Sequence, residues 1–222
     1  MKGIPNVSRG AVLALPNLRL SKHSLVRAKL SRMREGSRSP EVFRILTKQI
    51  TALLLYEATQ GLPLKEVSVT TPVAQFAGED LAVQVGFVPV LRAGFGMTDA
   101  ALEQVPNAQV WCLGMYRDES TLQPIPYYDK TPSKPTADMY FVLDIMLATG
   151  GSASDAIRVV KKYERPVVFV GLIAAPEGVM CLATEHPDVI IHIGALDSHL
   201  NEKGYIVPGL GDAGDRYFNT PV

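Results

Sequence analysis

An apolar run, Tyr140-Phe-Val-Leu, ends in the acid Asp144 and passes through Ile145, Met146, Leu147 and Ala148 to Thr149-Gly150-Gly151-Ser152. A helix-compatible stretch, 152–163, follows. This order of residue types suits a phosphorylated sugar. Backbone N–H groups at a helix N-terminus lack partners and sit at the positive end of the helix dipole, so a small-residue turn entering a helix can cradle an anion. Gly150 and Gly151 let a ligand approach the backbone without meeting a Cβ. Thr149 and Ser152 add hydroxyl donors, and Asp144 at the strand's carboxyl end can accept bonds from two sugar hydroxyls. The space beyond those strand ends is where open α/β sheets bind ligands. The plainer alternative, a glycine turn before a Ser-capped helix, leaves the acid and the threonine unused.

Other charged residues stand at comparable places. Arg92 follows the apolar run 81–91 and precedes Ala-Gly, which favours a site over an ordinary surface charge. Arg117 lies beside Asp118 and Glu119, where an exposed ion pair of little worth is the plainer reading and a site role the favoured one. Asp212 sits among glycines, where Asp often serves a turn. Two familiar phosphate motifs fail on their mechanism. No lysine follows the 150–151 glycines, as a P-loop requires. Gly209-Leu-Gly211-Asp-Ala-Gly214 matches G-x-G-x-x-G in letters, but this chain leaves no room after it for the helix and second strand of a dinucleotide unit.

Metal and disulfide chemistry find little support. His23, His186, His192 and His199 lack ligand spacing. Cys112 and Cys181 lie far apart in apolar surroundings and read as two buried, reduced thiols of an intracellular protein. The Asn6-Val7-Ser8 sequon is read as chance, because no apolar signal core precedes it.

The elements that must position these residues follow from pattern. Ser39, Pro40 and Glu41 open a helix whose apolar face runs from Val42 through Leu54, with Gly61 expected to end it. Apolar runs at 81–91, 110–115, 139–143, 167–173 and 189–193 alternate with helix-compatible stretches at 97–104, 152–163 and 177–184. That rhythm predicts βαβ units, giving an α/β fold with a mostly parallel sheet flanked by helices. Residues 1–60 form an N-terminal extension with its helix, and the Pro-rich insertion 116–138 reads as an arm or lid. One domain over 1–222 is expected. The basic segment 22–38 reads as a solvated helix face or subunit contact, with an anion patch as the alternative.

Composition narrows the field. Of 222 residues 47% are hydrophobic, and 22 Lys+Arg balance 22 Asp+Glu. A buried core is affordable and disorder is excluded. Zero net charge argues against a protein that coats nucleic acid. No apolar run approaches a membrane span.

The chain resembles the uracil phosphoribosyltransferases, a family of type I phosphoribosyltransferases. The resemblance rests on the Asp144-to-Ser152 loop, Val88-Pro-Val-Leu-Arg92-Ala-Gly-Phe-Gly-Met97, Gly114-Met-Tyr-Arg117-Asp-Glu, Ala175-Pro-Glu-Gly178, and Gly204-Tyr-Ile206-Val-Pro-Gly-Leu-Gly211-Asp212-Ala213-Gly-Asp215-Arg. It reaches upstream to 25–35 and Tyr56-Glu57-Ala58. It departs from the family at Ile145, where Pro is usual, and over 66–84. Residues 1–20 lie outside it.

The resemblance implies the type I phosphoribosyltransferase fold with an inserted β-arm, and the reaction of uracil with phosphoribosyl diphosphate to give UMP and diphosphate. Arg92, Arg117, Asp144, Ile145, Met146, Leu147, Ala148, Thr149, Gly150, Gly151, Ser152 and Asp212 would bind the donor. Asp144, Arg117 and Asp212 would carry catalysis, and Ile206, Gly211, Asp212 and Ala213 would bind uracil. Mg²⁺ would arrive on the donor's diphosphate, with no protein ligand of its own. Family members are cytoplasmic homodimers or higher homo-oligomers, and some respond to GTP, although no isolated motif here marks a GTP site. Two alternatives stand beside this reading: a UMP-sensing, nucleic-acid-binding regulator on the same fold, and a phosphoribosyltransferase for another base.

Overall fold

A computed structural model of the chain describes residues 7–117 and 124–220, with 115–117 and 124–126 by backbone alone. The first part holds helix α1 (Arg9–Leu13), strand β1 (Leu18–Leu20) and helices α2 (Ser24–Arg34) and α3 (Pro40–Ala58). Strands β2 (Leu64–Thr70), β3 (Gln75–Leu81) and β4 (Val85–Leu91) follow. A 3-10 turn, Ala93–Met97, leads into helix α4 (Thr98–Gln104), and then come β5 (Gln109–Val110), β6 (Leu113–Arg117) and β7 (Pro124–Asp129). The chain then alternates: β8 (Met139–Leu147), α5 (Gly151–Lys161), β9 (Val167–Ala174), α6 (Pro176–Glu185) and β10 (Ile190–Leu196). It closes with β11 (His199–Leu200), β12 (Ile206–Val207) and helix α7 (Ala213–Phe218).

Among the described residues the main sheet has the order β1-β10-β9-β8-β4-β6-β7, with β5 beside β4. Its pairs are parallel except β6 with β7. This is the mixed α/β architecture that the alternation predicts. A parallel sheet is covered on both faces, so its central strands must be apolar throughout, and every residue of β9 is buried. One face packs Phe43, Leu46, Ile50 and Leu54 of α3 against Phe141, Leu143 and Val170. The other packs Ala153, Ile157 and Val160 of α5 and Val179 of α6 against Val142, Phe169 and Ile191.

Helix α3 starts where the sequence places it, with the Ser39 hydroxyl accepting the Val42 N–H at 3.4 Å and Pro40 in the first turn. Its last residue is Ala58; the cap Thr59 directs both its N–H and its hydroxyl to the Leu55 carbonyl, and Gly61 lies in the following turn. The apolar run 81–91 is two strands. Ala82 donates to the Pro63 carbonyl and Gln84 to Asp138, so the chain leaves the β2–β3 hairpin before entering the sheet. The run 110–115 likewise splits at Trp111, whose N–H goes to Phe87. The inserted arm begins before residue 116: its hairpin pairs Leu113 with Asp129 and continues to Arg117 opposite Pro124. The stretch before residue 20 also contributes more than expected, since β1 adds a parallel edge strand to β10.

Two buried histidines join elements. His192 on β10 places Nε2 3.0 Å from Glu57 of α3, which also accepts the Ser21 hydroxyl at 2.9 Å. His186, at the end of α6, places Nε2 2.9 Å from the Ser154 hydroxyl of α5. Burial lowers both pKa values from 6.5, outweighing Glu57 at His192 and the Ser154 carbonyl at His186. A base with a depressed folded pKa stabilises the fold fully above its unfolded pKa, and loses that contribution as pH falls through the folded value. The urea midpoint is therefore expected to drop as pH falls from about 7.5 to about 5. The double variant His186→Gln, His192→Gln should drop less steeply over that range, and equal slopes would contradict the assignment.

Candidate active site

The site forms where the sheet changes direction. From β8 the chain continues through β9 to β10 on one side, while β4 and its neighbours lie on the other. Strand β8 pairs with β4 only as far as Leu143 opposite Pro89. With β9 it continues to Leu147 opposite Ala174. From Asp144 onward β8 therefore has an edge without β4, at the carboxyl ends of the strands. Such a switch point opens the crevice where α/β sheets bind ligands.

The sequence expects a loop after Asp144, but 144–147 remain in the strand. Ile145 and Leu147 are fully buried in the core on either side of the sheet. Only their backbone is available to a ligand, and the Ile145 side chain serves core packing. Asp144, Met146, Ala148 and Thr149 are half-buried. The true loop is 148–150, and α5 begins at Gly151.

Backbone closeness holds this loop. A Cβ on Gly178, in the first turns of α6, would stand 2.8 Å from the Leu147 carbonyl oxygen and closer still to that of Ala148. A Cβ on Gly94 would collide with the Leu143 carbonyl and stand 3.4 Å from the Asp144 Cα. The motifs carrying Arg92 and Ala175-Pro-Glu-Gly178 thus press directly on the end of β8. Gly150 adopts φ +90°, which glycine takes without steric cost, and its Cβ position is 2.8 Å from the Cβ of Cys181.

Arg92 follows β4, and its Nη2 lies 3.0 Å from Asp215 Oδ1 of α7. Thr220 also donates to that oxygen, at 2.6 Å. Asp212 does serve a turn: its Oδ1 accepts the Asp215 N–H at 2.9 Å and caps α7. A Cβ on Gly214 would lie 3.3 Å from Asp212 Oδ1 and 3.5 Å from Arg92 Nη2, so both side chains bound one space. Two cavities adjoin. One of about 370 Å³ is lined by Leu91, Arg92, Phe95, Cys112, Tyr127, Tyr128 and Phe218. The other, about 460 Å³, has Arg34, Gly209, Leu210, Gly211, Asp212 and Asp215 among its walls. The backbone of Arg117 ends β6, while its side chain and its neighbours Asp118 and Glu119 lie outside the described residues.

Ile206 is 7% exposed and packs into the core from β12, so only its backbone could touch a base. Gly211 and the N-cap Asp212 follow in the turn before α7, whose first residue is Ala213. What braces this turn leaves no local sequence pattern. Arg34, read within a solvated basic face, instead points inward: Nη1 and Nη2 donate to both carboxylate oxygens of Asp197, at 2.7 and 2.6 Å. Arg216 donates to the Leu210 carbonyl at 2.7 Å. Asp197 carries no local motif, and it becomes identifiable only once β10 and α2 are brought together.

Cys112 and Cys181 are free but half-buried rather than buried. Burial first, then Glu185, pushes the Cys181 thiol up to about 11, which keeps it protonated and unreactive at neutral pH. Among the described residues no three His, Cys, Asp or Glu side chains group as metal ligands, and no helix is long and apolar enough to cross a membrane.

A glycine cradle behind an acid, at the switch point of a mostly parallel sheet, defines the class of type I phosphoribosyltransferase folds. Comparison narrows the class. The family model described as Uracil phosphoribosyltransferase matches residues 20–220. A uracil phosphoribosyltransferase of Roseiflexus castenholzii is 52% identical over 202 residues, covering 90% of this chain and 97% of that protein. One of Lactiplantibacillus plantarum is 48% identical over 200 residues, covering 89% and 96%. A solved structure from Aquifex aeolicus superposes with a TM-score of 0.88 at 38% identity, covering 92% of this chain and 99% of that one. The chain belongs to the uracil phosphoribosyltransferase family.

The cradle geometry is testable by itself. Gly150→Ala is expected to destabilise the fold by about 1–3 kcal/mol, the cost of forcing a side chain into that conformation. Gly61→Ala, with no atom within 4 Å of its Cβ position, should leave the urea midpoint nearly unchanged. Equal midpoints for the two variants would contradict the packing described.

Proposed function

We propose that this chain transfers the 5-phosphoribosyl group from phosphoribosyl diphosphate to uracil, giving UMP and diphosphate. The observation that carries the reading is the convergence of the 144–152 segment with the Arg92 turn and the start of α6 at one sheet end, in a chain of this family. Breaking the C1–O1 bond leaves positive charge on the ribose and negative charge on diphosphate. Fixed donors and acceptors placed where those charges develop lower the barrier.

In this reading the amides of 148–152 hold the 5′-phosphate and Asp144 holds the ribose hydroxyls. Arg92 and Arg117 hold the diphosphate, a task suited to a rigid, always-charged guanidinium. The Arg92–Asp215 pair supports this: it is half-exposed, so its net worth is small and a diphosphate can compete for the arginine. Asp212 faces the ribose side. The 211–213 backbone and that of Ile206 read uracil, whose N1 bonds to C1 as the C1–O1 bond breaks, the N1 proton passing to water and diphosphate leaving with the C1–O1 electrons.

Mg²⁺ is part of the reading. The hard carboxylate oxygens of Asp212 and Asp215 beside the Arg92 space suit an ion that keeps its waters and binds phosphate oxygens. When bound on the diphosphate it neutralises charge on the leaving group. We also take residues 1–222 to act as one domain, supported by the contact of Arg216 with the Glu35 carbonyl across the chain. Self-association is supported by the exposed Val69, Val73 and Phe76 on the β2–β3 hairpin. GTP activation and a cytoplasmic location rest on the family resemblance alone. The regulator that binds nucleic acid is not favoured, since the basic segment spends Arg34 on Asp197.

Asp144→Asn is expected to fold normally and to lose about 2–4 kcal/mol of transition-state stabilisation, read as kcat/KM for the donor. An unchanged kcat/KM would remove Asp144 from the ribose.

Base choice gives a second expectation. Uracil presents an acceptor–donor–acceptor edge, and cytosine exchanges O4 for an amine and N3–H for an acceptor. Each unmatched buried group costs about 1–3 kcal/mol, and sites built on such bonds discriminate by about 10⁴. Uracil should be strongly preferred over cytosine, and 5-fluorouracil, with the same edge, should still be used. Ile206→Val should change affinity more than selectivity. Comparable kcat/KM for cytosine and uracil would refute both the base reading and the assignment to uracil.

A further inference from the structure

The turn proposed to read uracil does so with backbone groups, and backbone groups have no rotamers of their own. Their direction depends wholly on the path of the chain. That path is pinned at two successive residues by side chains from outside the turn. Asp197 is 4% exposed, and its Oδ2 accepts the Gly209 N–H at 2.9 Å as well as Arg34 Nη1. Arg34 Nη1 also donates to the Gly209 carbonyl at 2.7 Å. Both backbone groups of Gly209 are thus held by one ion pair. At the next residue, Arg216 Nη1 holds the Leu210 carbonyl, while its Nη2 donates to the Glu35 carbonyl at 2.7 Å. The Arg216 guanidinium lies 4.5 Å from the Phe43 ring centre, which fixes its plane.

We propose that Arg34 and Asp197 are positioning residues that set base selectivity, by clamping Gly209 so that the 211–213 backbone meets the pyrimidine edge in one register. The inference rests on the reading of 206–213 as the uracil site. A bidentate arginine–carboxylate pair fixes angle as well as distance, and a preformed site spends no binding energy on ordering its loop. The pair bonds Gly209 and no residue of the 148–152 loop, so loosening it is expected to disturb the base more than the donor. A merely structural pair would lower stability and affect both substrates alike.

The test uses the full chain carrying Asp197→Asn or Arg34→Lys. Each keeps size but loses the two-bond geometry. Steady-state constants are measured for uracil, cytosine and phosphoribosyl diphosphate, alongside thermal unfolding. The expected result is a folded protein with a KM for uracil raised about 10- to 100-fold, the scale of a misplacement near 1 Å. The uracil-over-cytosine ratio of kcat/KM should fall at least about tenfold, and the KM for phosphoribosyl diphosphate should rise by much less than that for uracil. An unchanged ratio in a folded variant overturns the clamp. Parallel rises in the KM of donor and base overturn it too, as does loss of fold in both variants. If the unaltered chain does not prefer uracil, it is the reading of the base site that fails, and that outcome is distinct from an unchanged ratio in the variants.

Discussion

The end of β8 is the constraint on which the rest of the structure depends. Two of its carbonyls, at Leu143 and Leu147, and that of Ala148 just beyond it, are approached by backbone from the turn after β4 and from α6, so closely that no side chain fits between. That contact brings the turn after β4 and the first turns of α6 onto the cradle. It also determines where Arg92 begins and how the 148–150 loop is shaped before α5. The sheet creates the opening, since β4 stops pairing at Leu143 while β9 continues to Leu147. Helix α5 then aims its N-terminus at that opening.

Charge is handled differently on the two sides of the site. On the proposed donor side Arg92 is held by Asp215 in a half-exposed pair, which a stronger anion can replace. On the proposed base side Arg34 and Asp197 form a far more buried pair, with Gly209 as a third member. Breaking a buried pair leaves an uncompensated charge and is costly. The exposed pair is therefore suited to exchange, and the buried one to holding geometry. The arrangement matches a reaction in which a polyanion arrives and leaves while the acceptor must be read by shape and hydrogen bonds.

Much of this was legible in the sequence because it is local. The apolar strand, the acid, the glycines and the helix after them lie within one stretch, and their order alone implies a cradle. Ser39 and Pro40 announced α3 for the same reason. What was not legible depends on partners distant in sequence. That Asp144, Ile145 and Leu147 stay in the strand follows from β9 outlasting β4, which no local pattern records. Edge strand β1 is only three residues long, and its existence depends on β10. Arg34 looked like one more charge in a basic run, because Asp197 is 163 residues away. The apolar run 81–91 hid a break, since Ala82 and Val83 are apolar but serve a connection.

The most direct test of the account is a crystal structure of the chain with UMP, because one ligand probes both ends of the proposed site. The account expects the 5′-phosphate on the amides of 148–152, the ribose hydroxyls on Asp144, and the uracil ring against 211–213. A phosphate bound at the basic segment 22–38, or a uracil ring lying away from 206–213, would contradict it.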